Sequence, residues 1–404
     1  MGTLNAIANN VPDFACALEA GFCGIENISL FDTAGFRSQT GGQIKNFTAR
    51  DYIPKSFSIK RMSRADMLSF AAALEALRDA GLYPPPEELK EEIGVAIGGG
   101  AGGLLEAEDF YGEFLKNDKN AKFSKLSALF CASSADRIAS VFGFTGPKAT
   151  FMTACSGGGT ALGYARDLIS NGHASIVVAG GVEPMCRTTY SSFNALQSVA
   201  IDVCRPFDKN RDGLSLGEAA AIMVLEELDA ALNRGAKIYG EILGYGITCD
   251  SFHMTAPDEQ ASGAVRSMQA ALKDSGLSID DIDYINAHGT ATPVNDAMET
   301  KAIKEVFGKR AYLIPVSSTK SMHAHTLGAA GALEGIVSVL ALRHGFIPPT
   351  INYQESDPQC DLDYVTSGSR KADLRAVLSN SFAFGGNNTT IIFGKYDERG
   401  AVHE

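Results

Sequence analysis

Short β-branched runs alternate with helical stretches from one end of this chain to the other, and no linker or low-complexity segment interrupts them. Parallel strands can be joined only by a crossover long enough to hold a helix, so sustained alternation predicts an α/β protein with mostly parallel sheets. IGVAIGGG (93–100), KATFMTAC (148–155) and SIVVAGG (175–181) read as buried strands, each followed by glycine or a helix. A helix is predicted from about Ser63 to Ala80, where Met67, Phe70, Ala71, Leu74 and Leu77 form one stripe, Ser63 is the N-cap and Gly81 the stop. From about residue 240 the alternation restarts: EILGYGI, a helix over 262–274, DYINAH, a helix over 294–306, LIPVSS, a helix over 326–343, then VLSNSF and TTIIF. The restart predicts two similar halves, 1–240 and 241–404, without a direct repeat of residues.

Charge excludes some partners. With 35 Lys and Arg against 47 Asp and Glu, the net charge of -12 gives no bulk attraction to nucleic acid or to an anionic membrane. Eight cysteines stand at 16, 23, 131, 155, 186, 204, 249 and 360, none in a C-x-x-C or zinc-knuckle spacing, so reduced thiols and no metal are expected. Glu334 interrupts the longest apolar run, and no membrane span is expected. The first residues, MGTLNAIANNVPDF, show no basic-then-apolar leader pattern, and Ala6 stands where a myristoylation signal needs Ser or Thr. A cytoplasmic location is the expectation.

Four places carry chemistry. Gly98-x-Gly100-x-x-Gly103 follows a strand and formally matches a dinucleotide fingerprint, but a run written GGGAGG satisfies many glycine patterns, and close backbone packing beside a pocket is the better reading. Cys155 ends a strand and opens the helix SGGGTALGYARDLISNG, where the positive end of the helix dipole and free N–H groups should lower a thiol pKa and stabilise an anion, as in a nucleophile elbow. His288 ends DYINAH ahead of GTATP, and His325 lies where STKSMHAHT leads into a helix of small residues. Each histidine alone is more often a satisfied core residue, but with Cys155 they form a Cys-His-His set at strand ends, the usual address of α/β active sites.

TACSGGGTALG, RPFDKNRDGLSLGEAA, NAHGTATPVND, STKSMHAHTLGAAGALE and SNSFAFGGNN resemble, in order and spacing, the motifs of elongating type II β-ketoacyl-acyl-carrier-protein synthases of the thiolase superfamily, over residues 2 to about 396. The resemblance implies the thiolase fold, two βαβαβ-type halves in a five-layer α-β-α-β-α arrangement. It implies Cys155 as nucleophile, His288 and His325 as neutral donors to a thioester carbonyl, and the N–H groups of Cys155 and Phe384 as an oxyanion hole. Lys320 and Glu334 would be a supporting charged pair. Thr290 and Thr292 would hold a phosphopantetheine arm, although turn hydroxyls are their ordinary role. Ala101, Phe193 and Phe384 would border the acyl channel, and Lys60, Arg61 and Arg64 the carrier-docking edge.

The same resemblance implies decarboxylative condensation of an acyl-enzyme with malonyl-acyl-carrier protein, in fatty-acid or type II polyketide and polyene elongation, without metal or organic cofactor. Phosphopantetheine would arrive on the carrier. The partner would be a second copy or a cysteine-less homologue of the chain-length-factor type. In the family, a basic β-branched strand precedes the glycine aligned with Gly2; here it is absent, so either the start is truncated or another segment fills that slot. Ala383 replaces a usual glycine, and the loop in ALQSVAIDVCRPFD is about three residues shorter than in fatty-acid relatives; both changes open a specialised pathway. Two alternatives stand beside this reading. A biosynthetic thiolase would carry a second cysteine near the C-terminus, where this chain has SFAFGGNN. A non-catalytic dinucleotide-binding module would rest on the glycine run alone.

Overall fold

The computed structural model describes residues 1–117, 119 and 121–397; the end of the expected C-terminal half, 398–404, lies outside the described residues. Ten strands form two five-stranded sheets. The first holds β1 (Gly2–Leu4), β2 (Ile93–Gly98), β3 (Lys148–Phe151), β4 (Ile176–Glu183) and β5 (Ala219–Glu226). The second holds β6 (Glu241–Cys249), β7 (Tyr284–Asn286), β8 (Val316–Ser317), β9 (Ala376–Phe382) and β10 (Asn387–Gly394).

Counting strands in chain order within each half, both sheets run 1-5-4-2-3. Both are parallel at the 4-2 and 2-3 contacts and antiparallel at 1-5 and 5-4. The two halves expected from the restart are therefore real, but the sheets are mixed rather than mostly parallel. The physical reason lies in the connections to the fifth strand. Four residues join β9 to β10, which suffices for a hairpin and not for a crossover. Between β4 and β5 lies a helix, Arg187–Ala195, that mimics a crossover in the sequence while the chain returns antiparallel.

Six helices build three layers around these sheets. α1 (Arg64–Asp79) and α2 (Ala132–Phe142) cover the outer face of the first sheet, while α4 (Ser262–Ser275) and α5 (Pro293–Phe307) lie outside the second. α3 (Gly157–Ser170) and α6 (Ala330–His344) lie between the sheets, completing the five-layer thiolase arrangement. α1 starts with a full capping box, Ser63 accepting from the Asp66 N–H and Asp66 from the Ser63 N–H. Its burial extends beyond the predicted stripe to Leu68, Ala72 and Ala76, because β1 lies directly on it. Gly2–Leu4 pairs with Ala220–Ile222 and itself fills the first-strand slot.

The apolar run ending in α6 does reach membrane length: Leu327–His344 spans 18 residues with mean hydropathy 1.2 despite Glu334. It is 89% buried inside the protein, and a helix apolar all round is what the middle layer between two sheets requires. α3 and α6 touch backbone to backbone, since a Cβ on Gly158 would come within 2.8 Å of the Ala332 nitrogen. This contact brings the N-terminal ends of both central helices to one place.

Candidate active site

Three sequence candidates converge where the central helices begin. Cys155 sits in the single turn Ala154–Ser156 between β3 and α3, is 6% exposed, and is preceded by Ala154 in the left-handed region at φ 48°. A non-glycine residue held there costs roughly 1–3 kcal/mol and marks a conformation fixed by its surroundings. The backbone N–H groups of Phe384 and of Cys155 itself act on the thiol and favour its anion, as the expected oxyanion hole would. Their effect does not prevail. Burial, only partly offset by the charge of Lys320, pushes the Cys155 thiol up to about 12 rather than down. The helix start is as expected; desolvation outweighs it, and the resting thiol is protonated.

His288 and His325 face each other edge to face, ring centroids 5.2 Å apart, both essentially buried. Burial and the charge of Lys320 hold both well below the usual histidine range, helped by His325 at His288 and by His323 at His325, so both are neutral. Each Nδ1 is buried without a partner. By contrast His323, two residues before His325, is a satisfied core histidine, bonded to the Ala324 carbonyl at 2.8 Å and to Thr319 Oγ1 at 2.9 Å. His325 is fixed through its backbone: its N–H donates to the Ser215 carbonyl at 2.7 Å and its carbonyl accepts from Gly217 at 2.9 Å, with Ala324 and Leu327 on either side at φ 65° and 45°.

Lys320 Nζ pairs with Glu334 Oε1, both side chains essentially out of solvent. The Lys320 charge lies close enough to act on the thiol and on both imidazoles. Burial raises the Glu334 carboxyl to about 7, against the pull of Lys320. Phe384 and Phe193 stack with centroids 5.5 Å apart, both half-buried. Ala383, where a glycine was expected, has extended backbone at φ -121° and ψ 154° that any residue adopts; the left-handed positions of the turn are Gly385 and Gly386. Thr290 and Thr292 share a hydroxyl contact of 3.0 Å, and Thr292 also accepts from the Asn295 N–H as the N-cap of α5.

The glycine run is not a nucleotide cradle in this chain. The Gly100 and Ala101 N–H groups, which a phosphate would need, donate to the buried carboxylate of Glu183 at 2.9 and 2.6 Å. A Cβ on Gly98 would come within 2.1 Å of the Gly157 backbone, so the run packs on the first turn of α3.

Residues 1–231 match the model for the β-ketoacyl synthase N-terminal domain, and residues 239–354 that for its C-terminal domain. The chain belongs to the β-ketoacyl synthase family. It is 42% identical to 3-oxoacyl-[acyl-carrier-protein] synthase 2 of Synechocystis sp., covering 98% of this chain and 97% of the relative. It is 38% identical to the protein of that name from Staphylococcus aureus, with the same coverages. Among solved structures, the ishigamide ketosynthase/chain length factor superposes with TM-score 0.93 at 37% identity over 98% of each chain. A type II polyketide acyl-carrier protein in complex with its hexaketide-bound ketosynthase gives 0.88 at 30% identity, over 98% of each chain. As a member of this family the protein is a condensing acyltransferase.

In this synthase Arg64 is held in an internal ion pair. Its guanidinium makes two bonds to the buried carboxylate of Glu218, at 2.7 and 2.6 Å, and its own side chain is 14% exposed. Of the expected cationic cluster, Lys60 and Arg61 remain exposed. Two carboxylates escaped the sequence reading. Glu299 accepts from the N–H groups of His288 and Gly289 at 2.9 and 2.8 Å, and so holds the backbone at His288. Glu183 does comparable work on the glycine run. Neither stands in a motif.

Proposed function

We propose that this β-ketoacyl synthase elongates an acyl chain by decarboxylative condensation with malonyl-acyl-carrier protein. The observation that carries the reading is one protonated thiol beside two backbone N–H donors, with two neutral, unpartnered imidazoles facing each other in the same buried site. Cys155 Sγ attacks the acyl thioester, the carbonyl oxygen becomes an anion held by the N–H groups of Cys155 and Phe384, and the carrier leaves as its thiol with the proton lost by Cys155. Malonyl-carrier then binds with its thioester carbonyl at His288 and His325. Loss of carbon dioxide leaves an enolate whose oxygen the two imidazole N–H groups stabilise. Its carbon attacks the acyl-cysteine, the C–S bond breaks, and the departing Cys155 thiolate takes a proton from solvent. Lys320 and Glu334 keep the surroundings of the histidines fixed and electrically balanced. No step requires a metal or organic cofactor.

The phosphopantetheine arm would pass Thr290 and Thr292, and the acyl chain would run toward Ala101 past Phe193 and Phe384. Acyl-carrier protein is acidic, and on a chain of net charge -12 the exposed Lys60 and Arg61 give it a local cationic contact. A second synthase-like chain, either another copy or a cysteine-less chain-length-factor homologue, fits the open edge of the first sheet. β3 is paired on one side only, and Phe130 and Met152 nearby are 77% and 67% exposed. The ishigamide and polyketide neighbours support a type II polyketide or polyene pathway, the curated relatives a fatty-acid one, in a cytoplasmic setting. Mass spectrometry of Cys155 after incubation with a panel of acyl-carrier proteins tests the reading. A mass gain on Cys155 matching one acyl class is expected, and no acylation by any of them would overturn it.

A further inference from the structure

Glu183 ends β4 as a buried carboxylate that no step above uses. Its Oε1 accepts from the Ala101 N–H at 2.6 Å, and its Oε2 accepts from the Gly100 and Gly328 N–H groups, each at 2.9 Å. No cation pairs with it among the described residues; burial raises its carboxyl to about 7, and the three backbone donors offset that only in part.

Those donors come from both halves of the molecule. Gly100 and Ala101 belong to the loop after β2, whose Gly98 lies on Gly157, two residues past Cys155. Gly328 belongs to the turn between His325 and α6. The seam is tight: a Cβ on Gly328 would come within 2.5 Å of Glu183 Oε2 and 2.7 Å of the Gly99 Cα. An unbroken path of close contacts therefore runs from Cys155 through the glycine run and the Glu183 carboxylate to Gly328, three residues beyond His325.

We infer that Glu183 is a positioning residue that fixes His325 against Cys155 across the seam between the two halves. The inference rests on the condensation proposed above and deepens it. Acylation needs Cys155 and its N–H donors, and decarboxylation needs the histidines. Only carbon–carbon bond formation needs both sets in register at once. Glu183→Gln has the same shape but a single acceptor oxygen, so its amide N–H faces at least one of the three donors and the clamp opens.

Three rates measured on folded wild type and Glu183→Gln test this: acyl transfer to Cys155, carbon dioxide release from malonyl-carrier protein, and condensation of the preformed acyl-enzyme. Condensation should slow by about a hundredfold, the scale of a misplacement near 1 Å, through kcat rather than KM, while the other two rates stay within about twofold. Equal loss of all three rates, or loss of none, would overturn the positioning role. If wild type itself neither acylates nor decarboxylates, it is the proposed reaction that fails. Should Glu183→Gln not fold, Glu183→Asp, which keeps the charge but shortens its reach, must show the same split.

Discussion

The ring of Phe384 lies on that of Phe193, 5.5 Å between centroids and 15° from parallel, beside Cys155, whose thiol the Phe384 N–H addresses. Phe384 also begins the turn containing Gly385 and Gly386, so one residue supplies both the stacked ring and the N–H that faces the thiol. A stacked aromatic pair is worth about 0.5–1.5 kcal/mol beyond its area. Phe193→Ala should therefore speed acylation of Cys155 by long acyl chains by a few fold and up to about tenfold, read by stopped flow. An unchanged rate would show that the stack does not restrain entry.

The two half-reactions should come apart by mutation. Cys155→Ala is expected to abolish condensation and keep measurable carbon dioxide release from malonyl-carrier protein, because the enolate is held by His288 and His325. His325→Ala should still acquire an acyl group on Cys155 and fail to condense. Full condensation by Cys155→Ala would remove the nucleophile assignment.

Lys320 and Glu334 form a pair with almost no solvent access, and deleting one member of such a pair typically costs about 3–5 kcal/mol. Lys320→Met should lower Tm markedly. Lys320→Met combined with Glu334→Leu should recover most of that loss in thermal melts while activity stays low, because the charge that acts on the thiol and both imidazoles is gone. Recovery of activity together with stability would reduce the pair to a packing element.

Arg64 and its neighbours should separate in the same way. Arg64→Ala leaves the Glu218 carboxylate buried without its cation and should lower Tm. Lys60→Glu with Arg61→Glu should leave Tm unchanged and raise KM for carrier-bound substrate, with an effect that shrinks at high salt. A carrier-bound KM indifferent to both charge reversals would place docking elsewhere.

Burial raises the Glu299 carboxyl from 4.5 to about 7, against the pull of the N–H groups of Gly289 and His288. A carboxyl raised on folding binds its proton more tightly in the folded state, so it contributes stability below the unfolded value that is lost as pH rises through the folded one. Wild type should lose stability relative to Glu299→Gln between about pH 4.5 and 7, with a flat difference on either side. Denaturant melts across that range decide it, and an opposite slope would mean that Glu299 stays ionised throughout.

The convergence of Cys155, His288 and His325 was legible in the sequence because each stands where a strand gives way to a turn, and strand ends can be read from local pattern. What could not be read depended on distant partners. Arg64 looks like a surface cation until Glu218, 154 residues away, closes on it. Among the described residues Glu183 binds only backbone N–H groups, and Glu299 binds two of them together with the Asn380 amide; every residue but proline offers a backbone N–H, so no residue type announces these carboxylates. The thiol environment was half visible: the helix start is local, while the burial that outweighs it is assembled from both halves. The mixed sheets were hidden because a helix between two strands does not state which way the second one runs.

The shared strand order has an evolutionary corollary. Strand two leads into the glycine run in one half and into His288 in the other; strand three leads into Cys155 and into the segment Lys320–His325; strand four ends at Glu183 and just before Phe384. His288 thus stands opposite the glycine run and Phe384 opposite Glu183, while Cys155 and His325, both proposed to react, share one topological address. A chain built on two copies of one plan can let one address drift toward new chemistry while its twin keeps the frame, so altered specificity in such proteins should arise by exchange of duties between paired loops more readily than by invention of new ones.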